Sequence, residues 1–334
     1  MTKRFALRDL IDDRPQDGVF RVSRAMFRDP ELFALEMKHV FEGAWVFIGL
    51  STQAEKPNDY FTGFIGRVPI IVSRDAEGIL RCFVNACPHK GVRLAQKLCG
   101  NAQRHVCPYH SWTFDSAGVN RNIKWKKGGC YGAGFDEESH DLAAVARFAE
   151  YRGFLFASLN ANVPSLDEFL GEARKLIDIV VDKSPTGVVE LVPGRVTFTY
   201  GANWKMQLEN CADQYHFTST HPSYIRILDQ RAKEQASDVV QATLAATDFW
   251  QENARGVTGG SYSFKHGHAL NWGVMPVSPV TQRTSPVSMP STSAMIVART
   301  SSEPCPSSVA PQYTVTWPLR SSSSCTPECG SLFQ

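Results

Sequence analysis

A chain of 334 residues has room for two ordinary domains. With 43% apolar and 20% charged residues it has the balance of a globular protein, and no stretch approaches eighteen consecutive apolar residues, so no membrane span is expected. A net charge of +2 without a long Lys/Arg run gives no sign of a nucleic-acid partner.

The first residues run into Asp9, Asp12 and Asp13 with no apolar core, so a secretory signal is not expected and a cytoplasmic location is. Of nine cysteines, Cys82, Cys99, Cys130 and Cys211 have no framework-like spacing and read as isolated reduced thiols. Asp29-Pro30-Glu31 begins a helix through Phe41, with Asp29 as N-cap and Pro30 at N1. This helix is predicted to pack on the domain that follows and to have no catalytic role.

Residues 60–65, 69–74 and 79–85 are rich in aromatic and β-branched residues and read as strands, with a turn at 75–78. Two short segments follow: Cys87-Pro88-His89, then Cys107-Pro108-Tyr109-His110. The pattern is Cys-x-His…Cys-x-x-His, two thiolates and two imidazoles on two loops. A Rieske [2Fe–2S] centre needs that mixed set, Cys₂ on one iron and His₂ on the other, with each loop giving one ligand to each iron. Neutral imidazoles on the outer iron ease reduction, to roughly −150 to +300 mV against about −400 mV for an all-Cys plant-type cluster. Two other readings stand beside it: a structural zinc, whose sites usually pair Cys with Cys and His with His, and an accidental grouping. Pro88 and Pro108 stiffen the loops by fixing φ. Residues 111–114 continue as a strand that 115–118 turns back. Trp112 and Tyr109 are candidate cover for the cluster, although plain core packing fits Trp112 equally well.

Further on, Ser165 and Glu168 form a capping box, followed by Leu166, Phe169, Leu170, Leu176, Ile177 and Val180 at helical spacing. Residues 195–200 alternate as a strand, and 203–221 form a helix-like run ending in Pro222. His216 and His221 are five apart, about 140° around a regular helix, so they share no face. Both reach one metal only if the helix ends or bulges between them, which 218–220 and Pro222 would allow. Otherwise they are two ordinary histidines. Asp213, one turn before His216, is placed to accept a hydrogen bond from a neighbouring imidazole.

These two iron motifs, with Asn203-Trp-Lys and Glu209-Asn210-x-x-Asp213-x-Tyr-His216, resemble the large (α) subunit of Rieske non-haem iron ring-hydroxylating oxygenases. Within that family, 146–160, 163–171 and 259–268 are similar to the benzoate, toluate and anthranilate 1,2-dioxygenase group, over about residues 15–275. The resemblance implies an α+β protein. A helical segment (1–42) leads into a small antiparallel β Rieske domain (43–155). An incomplete helix-grip-like catalytic domain follows (156–276), and an atypical tail ends the chain (277–334). It implies that a separate reductase passes electrons from NADH to the cluster, and that the cluster feeds a mononuclear Fe(II). That iron activates O₂ and adds both oxygen atoms to an aromatic carboxylate as a cis-diol. It also implies a trimer of α subunits, often with three small β subunits, in which the cluster of one subunit serves the iron of its neighbour. His216 and His221 map to iron ligands, Asp213 to the carboxylate bridging the two centres, and Asn210 to a residue close to the iron. A 2-His-1-carboxylate triad leaves positions open for O₂ and substrate.

The third ligand of the family is an Asp well downstream, and none follows Asp248; the later acids are Glu252, Glu303 and Glu328. From 277 onward half the residues are Ser, Pro or Thr, with no Lys, Asp, Asn or His. A frameshift, a divergent disordered tail, or a rewired site using Glu303 each account for this. Three functional alternatives stay open: a Rieske monooxygenase or demethylase, an electron-transfer protein, and a catalytically impaired product that keeps only the cluster. His266 and His268 line a substrate pocket or are two histidines at a strand turn; His39, His105 and His140 read as surface or structural residues.

Overall fold

The computed structural model describes residues 7–191, 199–212, 216–234 and 259–273. The predicted tail, most of the predicted strand at 195–200 and Asp213 lie outside them. An N-terminal hairpin of β1 (Ile11–Arg14) and β2 (Val19–Val22) precedes α1 (Pro30–Glu36). The α1 start is the predicted one: the Asp29 carboxylate accepts the Glu31 and Leu32 amides, each at 2.9 Å, with Pro30 at N1. The helix does not run on regularly to Phe41. It widens into a π turn over Met37–Phe41, closed by the Glu42 amide on the Met37 carbonyl at 2.9 Å.

Ten strands build the next unit: β3 (Val46–Leu50), β4 (Asp59–Ile65), β5 (Val68–Arg74), β6 (Leu80–Val84), β7 (Cys99–Asn101), β8 (Arg104–Val106), β9 (Thr113–Asp115), β10 (Asn120–Asn122), then β11 (Arg147–Tyr151) with β12 (Phe154–Ser158). They form three antiparallel sheets ordered β6-β5-β4-β7, β10-β9-β8 and β11-β12-β3. Side chains alternate across the first sheet with the period of two that a strand imposes. Tyr60, Ile71 and Phe83 face Trp112, Phe114 and both loop cysteines. Phe61, Ile70, Val72 and Cys82 face Ile48, Leu155 and Ala157 on the other side. Core thus lies on both faces of β4–β6, and one of those cores is the floor of the cysteine loops.

The turn at 75–78 is held by Asp75, which is fully buried. Its carboxylate accepts the Ile79 amide and the Arg81 guanidinium, both at 2.7 Å. Burial alone would raise its pKa, yet those hydrogen bonds outweigh burial and hold the carboxyl below the ordinary carboxylate range. The unfolded chain therefore takes up protons first, so the stabilisation is complete above the unfolded pKa near 4 and is lost as the pH falls below it. Asp75→Ala is expected to cost about 2 kcal/mol in urea unfolding at neutral pH. Asp75→Asn is expected to flatten the fall in stability below pH 4, and an unchanged acid limb would rule the turn out as its source.

The outer face of the β11-β12-β3 sheet packs on two helices. Trp45, Leu50, Phe154 and Phe156 meet Leu166 and Leu170 of α2 (Leu166–Leu170) and Ile177 and Val181 of α3 (Arg174–Asp182). Ser165 caps α2 through its hydroxyl on the Glu168 amide. The single predicted helix is split, because Gly171 adopts φ 48° between the two pieces.

Beyond residue 200 come α4 (Trp204–Ala212), α5 (Phe217–Thr220) and α6 (Pro222–Lys233), then a hairpin of β13 (Gly259–Ser263) and β14 (Ala269–Gly273) that packs on α4 and α2. Two expectations change here. Pro222 does not end a helix but begins one, occupying the first turn of α6, where its missing N–H costs nothing. And α1 reaches past the β domain to α4, through Glu36 and Phe41. The fold is α+β as predicted. No helix of the described residues is long and apolar enough to cross a membrane.

Candidate metal centres

The two cysteine loops are built alike. In the first, the Cys87 amide donates to the Val92 carbonyl at 2.8 Å and the Gly91 amide to the Cys87 carbonyl at 2.8 Å. In the second, Cys107 donates to Trp112 at 2.8 Å and Ser111 to Cys107 at 2.9 Å. Each loop closes by turning left-handed four residues after its cysteine, at Gly91 (φ 72°) and Ser111 (φ 60°). Glycine takes that conformation freely; serine does so at a cost, which the surrounding hydrogen bonds offset. The strand predicted from 111 accordingly starts only at Thr113. Asn85, 1% exposed, braces the first loop: its carbonyl oxygen accepts the Leu94 and Ala95 amides and its amide donates to Ala95. Nothing in the motif pointed to Asn85.

These loops bring the four expected residues together in two pairs. Cys87 and Cys107 are both free thiols, 2% exposed, close enough to hydrogen-bond each other. His89 and His110 lie farther out, half-buried, with ring centroids 4.6 Å apart. Burial, then the hydrogen bond and repulsion from Cys107, push the Cys87 thiol up, so a pair of thiolates here needs a cation to balance it. Burial and the neighbouring His110 and Lys90 lower the His89 pKa, favouring the neutral imidazole that ligates metals. His110 Nδ1 is buried without a protein partner. Such an orphaned atom is what a ligand nitrogen looks like when its metal is left out of account. Inner sulfur pair and outer nitrogen pair fit a [2Fe–2S] group with one pair per iron. A structural zinc would usually pair Cys with Cys and His with His along the chain, which these mixed loops do not.

Trp112 both packs in the core and covers the site: its ring is 4% exposed and stacks on His89 at 4.9 Å and 11°. Tyr109 touches the His110 ring but is 63% exposed, so it is not buried cover. His140 joins this cover instead, its Nε2 on the Phe135 carbonyl at 2.7 Å and its ring against Trp112. His105 is 7% exposed and packs edge-on to Tyr60, a structural residue as expected.

The second constellation sits where α4 gives way to α5 and α6. His216 immediately precedes α5 and accepts the Thr220 amide at 2.8 Å; His221 is the N-cap of α6. Each histidine thus stands at the start of its own short helix, and the break between the helices removes the angular mismatch of a five-residue spacing. Their Nε2 atoms face each other at 3.3 Å. Two nitrogens bound to one ion at about 2.0–2.1 Å lie about 3 Å apart, so the pair has the bite of two ligands. Asn210 occupies the last turn of α4 and is exposed. Asp213 and any third carboxylate lie outside the described residues. His266 and His268 are at the β13–β14 turn, with His268 Nε2 2.9 Å from the Phe169 carbonyl, as two turn histidines would be.

Comparison with known proteins agrees with this geometry. A model of the Rieske [2Fe-2S] domain matches residues 44–129, and a model of the ring hydroxylating alpha subunit catalytic domain matches 186–328. The second match runs through the stretch that composition sets apart. The toluate 1,2-dioxygenase α subunit of Pseudomonas putida is 46% identical over 79% of this chain and 57% of its own length. The large subunit of 2-halobenzoate 1,2-dioxygenase from Burkholderia cepacia is 38% identical over 83% and 60%. Among solved structures, naphthalene 1,2-dioxygenase from Rhodococcus sp. bound to indole superposes with a TM-score of 0.62 at 27% identity, over 76% of this chain and 53% of that one. The chain spans a little under two thirds of the length of these curated relatives. With cysteine loops and histidine pair falling, in that order, inside these two matches, the chain carries the Rieske domain and the ring-hydroxylating catalytic domain of ring-hydroxylating oxygenase large subunits.

Proposed function

We propose that this chain serves as the large subunit of an aromatic-ring dioxygenase, with Cys87, His89, Cys107 and His110 holding the Rieske cluster and His216 and His221 holding the mononuclear iron. The observation that carries the reading is one polypeptide presenting both a thiol-and-imidazole loop pair and a separate pair of imidazoles with ligand bite. When bound, the cluster would relay electrons that originate in NADH and arrive through a reductase, and the iron would activate O₂. The protein's own part is positional. Buried Cys87 and Cys107 keep water from the inner side of the cluster, Trp112 fixes the His89 ring, and the break at 221 aims two imidazoles at one point. Asp213 is proposed to link the centres by hydrogen bonding to an imidazole, with Asn210 nearby. The substrate is proposed to be a benzoate-like acid. Toluate and 2-halobenzoate, the substrates named for two relatives, are both ring carboxylates. An α₃β₃ assembly and a cytoplasmic location are part of the same proposal.

Incubation with reductase, NADH, ¹⁸O₂ and benzoate tests the proposal. A cis-diol carrying two labelled atoms supports the dioxygenase assignment, and a singly labelled product would move it to a monooxygenase.

A further inference from the structure

Of the described ion pairs, the one with both partners most enclosed joins Glu36 of α1 to Lys205 of α4, each side chain 11% exposed. The same carboxylate accepts the indole N–H of Trp204 at 2.7 Å. Phe41 meets the Trp204 ring edge-on, with centroids 5.1 Å apart and an 81° angle, and the Lys205 ammonium lies 5.8 Å from the Phe27 ring centre. These contacts tie residues 168 and 169 positions apart. Glu36 and Phe41 are five apart, which on a regular α-helix would set them about 140° from each other. The π turn at Met37–Phe41 removes that mismatch, because its wider ring brings the fifth residue round toward the first. π turns recur at functional sites, and here the irregularity has a visible product: two side chains gripping one tryptophan. Just beyond it, Glu42 anchors the segment to the β domain by accepting the Arg67 guanidinium at two points, each 2.8 Å.

The far end of α4 leads through three residues into His216. A nine-residue helix is marginal alone and takes its position from what it touches. We infer that Glu36 is a positioning residue for the His216/His221 pair: with Phe41, brought alongside by the π turn, it fixes α4 and so the direction from which His216 reaches the metal. The inference rests on the reading of that pair as an iron site.

The test compares full-length wild type, Glu36→Gln and the charge swap Glu36→Lys with Lys205→Glu. Two readings are taken: amide exchange in 204–212, and anaerobic binding of Fe(II) beyond the two cluster irons. Glu36→Gln is expected to raise exchange in α4 and weaken Fe(II) binding about tenfold, as loss of a group orienting a ligand does. The cluster's visible spectrum should not change, and the swap, which restores the ion pair but not the acceptor for the Trp204 indole N–H, should recover part of both effects. Unchanged α4 exchange, or faster exchange with unchanged Fe(II) affinity, overturns the inference alone. Wild type that binds no further Fe(II) overturns the iron-site reading and this inference with it. If Glu36→Gln fails to fold, Phe41→Leu, which leaves the ion pair intact, should move both readings in the same direction, and no movement overturns the inference.

Discussion

Replacing Cys87 or Cys107 with Ser should give colourless protein with neither the cluster's two irons nor acid-labile sulfide. Both thiols are enclosed between Tyr60, Ile71, Trp112 and Phe114. An alcohol there binds iron far more weakly than a thiolate, and its hydroxyl is left among apolar groups at about 1–3 kcal/mol if unsatisfied. The loss extends to folding, since a metal group bound only by the native loops contributes its binding energy to the native state. The β domain should therefore unfold at lower denaturant in either variant than in wild type. Iron and sulfide assays with the visible spectrum decide the matter. A Cys107→Ser protein with full sulfide content would remove the loops from consideration as the cluster site. His89→Ala and His110→Ala should be milder in stability, because these rings are half-buried at the outer edge.

His216→Ala and His221→Ala are expected to separate the two centres. Either change should weaken binding of the additional Fe(II) by more than about 100-fold, beyond what loss of a merely orienting group costs. Cluster iron, sulfide and colour should stay at wild-type values, since the two constellations share no residue. The double variant should be no worse than the singles, because one imidazole alone cannot chelate. Anaerobic iron titration followed by sulfide analysis measures both quantities on one sample. Equal loss of cluster and additional iron in His221→Ala would mean that the pair at 216 and 221 supports the fold and not a metal.

The strands over 59–84 were legible because their alternation and turn residues are local signals; Asp75 and Gly78 sit in the turn where their chemistry places them. Four residues of the candidate cluster site could be picked out because Cys-x-His and Cys-x-x-His are themselves the loops. What sequence could not show was anything formed by distant partners. The Glu36–Lys205 contact leaves no local trace, nor does the stacking of Trp112 on His89. The π turn is silent too, since composition does not distinguish it from a regular helix. Pro222 was misjudged for a definable reason: the residue is as suited to the first turn of a new helix as to the limit of an old one. Tyr109 was assigned cover from its type alone, whereas its loop points the ring outward.

Sulfur inside and nitrogen outside makes the β domain a one-sided terminal. With a cluster held there, an electron departing past Cys87 and Cys107 would face a wall of aliphatic and aromatic packing, while one departing through His89 or His110 would leave by the half-buried side. Under the proposed function, supply and delivery would then share that rim, approaching by different sectors of it or taking turns, and a molecule shielding the rim for one purpose would close it for the other.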